Sequence, residues 1–166
     1  MAVTHTLIQT ITASAGTASS IDFTSIPQTY TDLKLVLSAR NTGAENAVYV
    51  SFNGTTTTYS AKILFGNGAS AASNNPAART IMYSNFSTDT ASVFANAEVY
   101  IPNYTGSAQK SFTSDTAQEN NATTSYQIFL AGLWTGTAAI TQLTLTGATG
   151  NFAQYTSASL YGIKNS

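Results

Sequence analysis

The chain has 166 residues but only thirteen formal charges, six basic and seven acidic, for a net charge of −1. It contains no cysteine, which excludes a disulfide framework and any thiolate zinc site, and its scattered charges form neither the basic stripe nor the acidic tail that nucleic-acid partners would favour. Apolar residues supply 43%, enough for a core, while Thr and Ser fill about a quarter of the chain, so its surface is hydroxylated rather than ionic and little keeps copies apart.

Period-2 alternation runs through the sequence, and helical periodicity is nearly absent. Thr6 to Thr12 and Ser19 to Thr24 are the first two candidate strands. The Ile26-Pro27 step that follows reads as a corner: Phe23 and Ile26 bury, Pro27 blocks strand continuation, and the next strand begins near Asp32. Leu33, Leu35, Leu37 and Ala39 then share one face, with Lys34, Ser38 and Arg40 on the other. Ala47 to Phe52 places Val48, Val50 and Phe52 together and runs into Asn53-Gly54, the strongest hairpin signal in the chain. Tyr59 to Phe65 is the next strand, closed by the turn Gly66-Asn67-Gly68. Ala69 to Ala78 reads as one long exposed loop, then Thr80 to Tyr83 as a short strand.

Val93 to Ile101 alternates cleanly, with Asn96 and Glu98 outward, and Gln109 to Thr113 follows after a turn at Thr105-Gly106-Ser107. Glu119 to Thr124 is a second exposed loop. Tyr126 to Trp134 is more apolar on both faces, as expected of a central strand. Gln142 to Thr146 and Tyr155 to Ile163 complete a set of about ten short strands with turns between them. The expected fold is all-β: a single antiparallel β-sandwich, jelly-roll-like, over residues 1–166, with 1–10 a docking arm or an edge strand.

The chain offers little material for catalysis. His5 is the single histidine, which removes His-based metal clusters and leaves a Ser-His-Asp triad one base, placed among the first few residues. Glycoside hydrolysis needs two convergent carboxylates, and Asp22, Asp32, Glu45, Asp89, Glu98, Asp115 and Glu119 are all isolated in sequence. Asp89 and Asp115, beside Thr and Ser, read as turn-capping residues, and Glu98 as a solvated charge. No Asp-x-Asp pattern suggests calcium, and Gly66-Asn67-Gly68 lacks the strand-to-helix setting of a phosphate loop. Trp134 reads as core or rim. Tyr83, Phe86 and Tyr104 lie near turns where rings are exposed and available to a glycan or a protein partner. The run Thr55-Thr56-Thr57-Thr58 occurs once and reads as a hydroxyl-rich loop. No catalytic, cofactor-binding or metal residue is expected, and no cofactor.

The segment Ser19-Ser20-Ile21-Asp22-Phe23-Thr24-Ser25-Ile26-Pro27-Gln28-Thr29-Tyr30-Thr31-Asp32-Leu33, with Gly132-Leu133-Trp134, Ala139-Ile140-Thr141 and Leu160-Tyr161-Gly162-Ile163-Lys164, resembles jelly-roll-like virion structural proteins of tailed bacteriophages, cyanophages among them. That resemblance implies a non-enzymatic protein that assembles with itself, as a homotrimer, and with major capsid or other virion proteins. Capsid cement or decoration is the expected role. A tail-fibre or baseplate module binding host surface glycan through the loops at Ala69 to Ala78 and Glu119 to Thr124 is the alternative. No apolar run approaches the roughly 20 residues of a membrane span, and Met1 to Thr6 lacks the features of a secretory signal, so synthesis in the host cytoplasm and residence in the virion are expected.

Overall fold

The computed structural model describes residues 4–14, 17–122 and 125–164. Fourteen strands form among them: β1 (Thr4–Thr12), β2 (Thr17–Ala18), β3 (Ile21–Phe23), β4 (Asp32–Ala39), β5 (Ala47–Phe52), β6 (Tyr59–Gly66), β7 (Ala71–Asn74), β8 (Thr80–Tyr83), β9 (Ala95–Ile101), β10 (Lys110–Gln118), β11 (Tyr126–Trp134), β12 (Leu143–Gly147), β13 (Phe152–Ala153) and β14 (Ser157–Lys164). No helix is present among the described residues. Two unequal antiparallel sheets make a sandwich. The larger has the order β1-β14-β4-β9-β10-β11-β6-β7, the smaller β3-β12-β5-β8, and β13 pairs with β2 as a small ribbon.

The alternation read from sequence sets which residues line the space between the sheets. Leu33, Leu35, Leu37 and Ala39 of β4 are buried, as are Val99 and Ile101 of β9 and Ile128 and Leu130 of β11. They meet Val48, Val50 and Phe52 of β5 and Leu143 and Leu145 of β12. At one end Phe52, Tyr59, Phe112 and Trp134 form an aromatic cluster, with Phe52 edge-on to Phe112 at 5.9 Å and to Trp134 at 5.5 Å. Such tilted arrangements suit the ring quadrupoles.

The corner at Ile26-Pro27 forms as expected. Phe23 and Ile26 are buried, and β4 begins at Asp32. The Gln28 amide donates to the carbonyls of Ile26 (2.8 Å) and Ile140 (3.0 Å), tying the corner to the loop before β12.

The Asn53-Gly54 signal has a different outcome. Both residues take positive φ, 52° and 75°, and Thr55 N–H closes the turn on the Phe52 carbonyl. The strands on either side nevertheless join different sheets: β5 pairs with β12 and β8, β6 with β11 and β7. The reason is local. Asn53 Oδ1 accepts from the Thr141 and Gln142 amides, and its Nδ2 donates to the Ala139 carbonyl, so the turn is anchored on the loop before β12 and the chain leaves it across the sandwich.

Ala69 to Ala78 is not a continuous loop. Ala71–Asn74 forms β7, an edge strand paired with β6 beyond the Gly66-Asn67-Gly68 turn. Its small side chains carried no apolar alternation to announce it. The Gln109 to Thr113 strand extends to Gln118, and Ser114 and Thr116 take inward positions that alternation of apolar residues alone missed. Thr4–Thr12 is an edge strand on β14. The Glu119 to Thr124 loop lies partly outside the described residues.

Candidate interaction face

The eight-stranded sheet has one face in the core and one in solvent, because the smaller sheet covers a single side. Register places the outward residues of its central strands in rows. One row runs Lys34, Tyr100, Thr113, Ala131 and Lys62; the next runs Val36, Glu98, Asp115, Phe129 and Leu64. Phe129 and Leu64 are thus direct cross-strand neighbours, and each is more than half exposed, at 52% and 56%. Tyr100 is also exposed.

β11 is a central strand of its sheet, as the apolar run predicts. Ile128 and Leu130 lie in the core, while its second apolar face, Phe129 and Ala131, has no cover among the described residues.

The charged residues of the face are also arranged by register. Asp115 and Glu98 stand directly opposite each other on β10 and β9, an arrangement that costs energy between like charges. Lys34 offsets half of it through a 2.6 Å ion pair with Glu98. Asp115 accepts only from a neutral amide, that of Gln127. Lys62 likewise binds a neutral group, the Asn75 side-chain oxygen, at 2.6 Å. A depression of about 420 Å³ lies over Leu64, Thr113, Phe129 and Ala131. A neighbouring one of about 220 Å³ lies over Asn96, Glu98, Asp115 and Gln127. Tyr100 closes the other side; its hydroxyl donates to Asp32 at 2.6 Å, a bond to an anion that, with burial, pushes the phenol up to about 12.

The remaining candidates separate from this face. His5 is exposed on the edge strand β1, opposite Ile163. Asp89 caps its turn as expected, accepting from Phe86 N–H at 3.1 Å and from the Asn85 amide at 2.9 Å. Asp115 does not cap a turn; it sits in the middle of β10. Asp22 is held by Ser20 and Thr144 hydroxyls, and Glu119 accepts from Asn121 N–H. Trp134 is core, and so are Tyr83 and Tyr104, while Phe86 is half-buried, so the rings near turns are not a displayed aromatic set. The Tyr104 hydroxyl donates to the Pro27 carbonyl from inside the fold. Thr56, Thr57 and Thr58 form an exposed loop, and Gly66-Asn67-Gly68 a turn in which the Asn67 oxygen caps Ala69 and Ser70 N–H. Among the described residues, no three His, Asp or Glu side chains converge as metal ligands.

Lys110 escaped notice in the sequence. It is enclosed, 2% exposed, and its ammonium donates to the carbonyls of Gly106, Ala108 and Thr137 at 2.6, 2.6 and 3.2 Å. Burial lowers its pKa. It fastens two loops together, and its outward-inward parity on β10 was the one available signal. No protein-family model matches this chain, and no curated protein or solved structure matches it either.

Proposed function

We propose that this chain is a non-enzymatic virion structural protein, a capsid cement or decoration subunit that self-associates, in a closed ring such as a trimer, and packs against neighbouring coat subunits. The observation that carries this reading is the uncovered outer face of the eight-stranded sheet, where Phe129 and Leu64 meet solvent side by side, flanked by Asp115 and Lys62. Adjacent exposed apolar residues mark contact sites. The resemblance to phage virion proteins supports the same assignment.

The competing reading, a tail module binding host glycan, rests on a different feature of that face. Tyr100 and Phe129 rings stand near the Asp115 and Glu98 carboxylates, supplying stacking surface beside hydrogen-bond acceptors, and they are carried on strands rather than on the loops expected from sequence. One experiment separates the two. Purified protein is incubated with empty capsids and, separately, with host cells, and each is pelleted. Co-sedimentation with capsids alone supports cement, and an electron micrograph of decorated particles locates the contact. Cell binding that free sugar abolishes overturns it.

A further inference from the structure

We infer that the outer face of the eight-stranded sheet docks on the same face of a second copy of this chain, about a twofold axis lying in the contact plane between Phe129 and Leu64, so that Lys62 of each copy meets Asp115 of the other. The inference rests on the reading of the chain as an assembling protein and names the surface it uses. It concerns one twofold contact and leaves any ring to other surfaces.

The face has the anatomy of a self-complementary contact. Its centre is apolar and small: Phe129, Leu64 and Ala131, with Thr113 beside them. Its charges flank that centre on opposite sides, Lys62 on β6 across from Ala131 and Asp115 on β10 across from Phe129. A twofold through the centre exchanges the two sides, which brings unlike charges together twice. Each charge is held only by a neutral amide in its own chain, Asn75 for Lys62 and Gln127 for Asp115, so each gains an ionic partner on docking. The cross-strand repulsion between Asp115 and Glu98, which Lys34 relieves on one side only, is then relieved on both.

The sheet's edges are poor alternatives. β1 is broken by a bulge between Leu7 and Gln9, and β7 has four residues and is followed two positions later by Pro76. Bulges, short length and proline are the usual devices against edge pairing. The face carries no such device.

The test measures the mass of the full chain by light scattering after size exclusion, for the parent, Lys62→Glu, Asp115→Lys, Phe129→Ser and an equimolar mixture of the two charge variants. All three positions are exposed, and circular dichroism checks that each variant folds. Each single variant is expected to halve the parent mass, with dimer affinity lowered at least tenfold. Mixing the two charge variants restores the parent mass, because both cross-contacts again join unlike charges. A monomeric parent chain, charge variants with unchanged mass, or a mixture that stays dissociated overturns the inference. If the mixture reassociates while capsids are not bound, the virion reading fails and the face stands; if capsids bind while the charge pattern has no effect, the face alone fails.

Discussion

Gly132 is the position where the packing of the aromatic end can be tested most sharply. It lies on β11 directly opposite Phe112, and a Cβ built there would sit 2.1 Å from Cε2 and 2.2 Å from Cζ of that ring, where ordinary contact begins at 3.4 Å. Phe112 must therefore move by more than 1 Å. It is 1% exposed and backed by Phe52, itself in contact with Tyr59 and Trp134, so the displacement is passed to the whole cluster. Overpacking of this kind costs about 1–3 kcal/mol. The smaller unfolded-state entropy of Ala returns about 0.5–1 kcal/mol. A net loss of about 1 kcal/mol is expected for Gly132→Ala, read as a lower urea midpoint at unchanged m-value. The same substitution in a Phe112→Leu background removes the collision and should be neutral or slightly stabilising, a coupling of about 1–2 kcal/mol. A cost below about 0.5 kcal/mol, or an equal cost in both backgrounds, would refute the claim that the ring occupies the glycine's missing side chain.

Three further outcomes follow from buried and strained groups. Tyr59 and Tyr83 are buried and have their phenols pushed up to about 12, chiefly by desolvation, so the folded chain holds protons that the unfolded chain releases above its ordinary value of 10.0. Their contribution is complete below pH 10 and lost towards pH 12; urea midpoints should fall over that interval, and Tyr83→Phe should flatten the fall. Lys110 acts in the opposite sense, since its lowered pKa makes the folded state more favourable as pH rises towards 10.5. Replacing it with Met leaves three carbonyls without their donor, and a loss of about 2–4 kcal/mol is expected, with hydrogen exchange accelerating at 103–109 and 135–139. Tyr155 is 70% exposed with φ 72°, a left-handed conformation costly for a residue with a Cβ. Tyr155→Asn should raise the thermal midpoint, by about 0.5–1 kcal/mol of added stability.

Alternation located most of the sandwich because a strand with one buried face displays its orientation in every second residue. β4, β5 and β9 are legible for that reason. β7 was hidden because Ala71, Ala72, Ser73 and Asn74 are all exposed, and a strand held only by backbone pairing leaves no pattern. The C-terminal half of β10 was hidden because Ser114 and Thr116 occupy core positions that apolar residues usually fill. The partners of Asn53 could not be read at all, since Ala139 and Gln142 lie more than eighty residues away. The same limit concealed the carboxylate pair: Glu98 and Asp115 are ordinary outward positions on two strands, and only the register between those strands sets them face to face.

β11 shows where a local pattern and a global one part. A run apolar on both faces predicts a central strand, and β11 is one. It is flanked by β10 and β6, and the smaller sheet covers one of its faces; among the described residues nothing covers the other. Solvent-facing Phe129, with Leu64 beside it on β6 and Tyr100 on β9, interrupts the polar outward positions Asn96, Glu98, Thr113 and Asp115 of β9 and β10. Apolar outward positions on adjacent strands, without gain inside the monomer, point to a compensating contact outside it. The apolar parity of β11 and the uncompensated charges of Lys62 and Asp115 converge on one patch, and a second copy answers both at once.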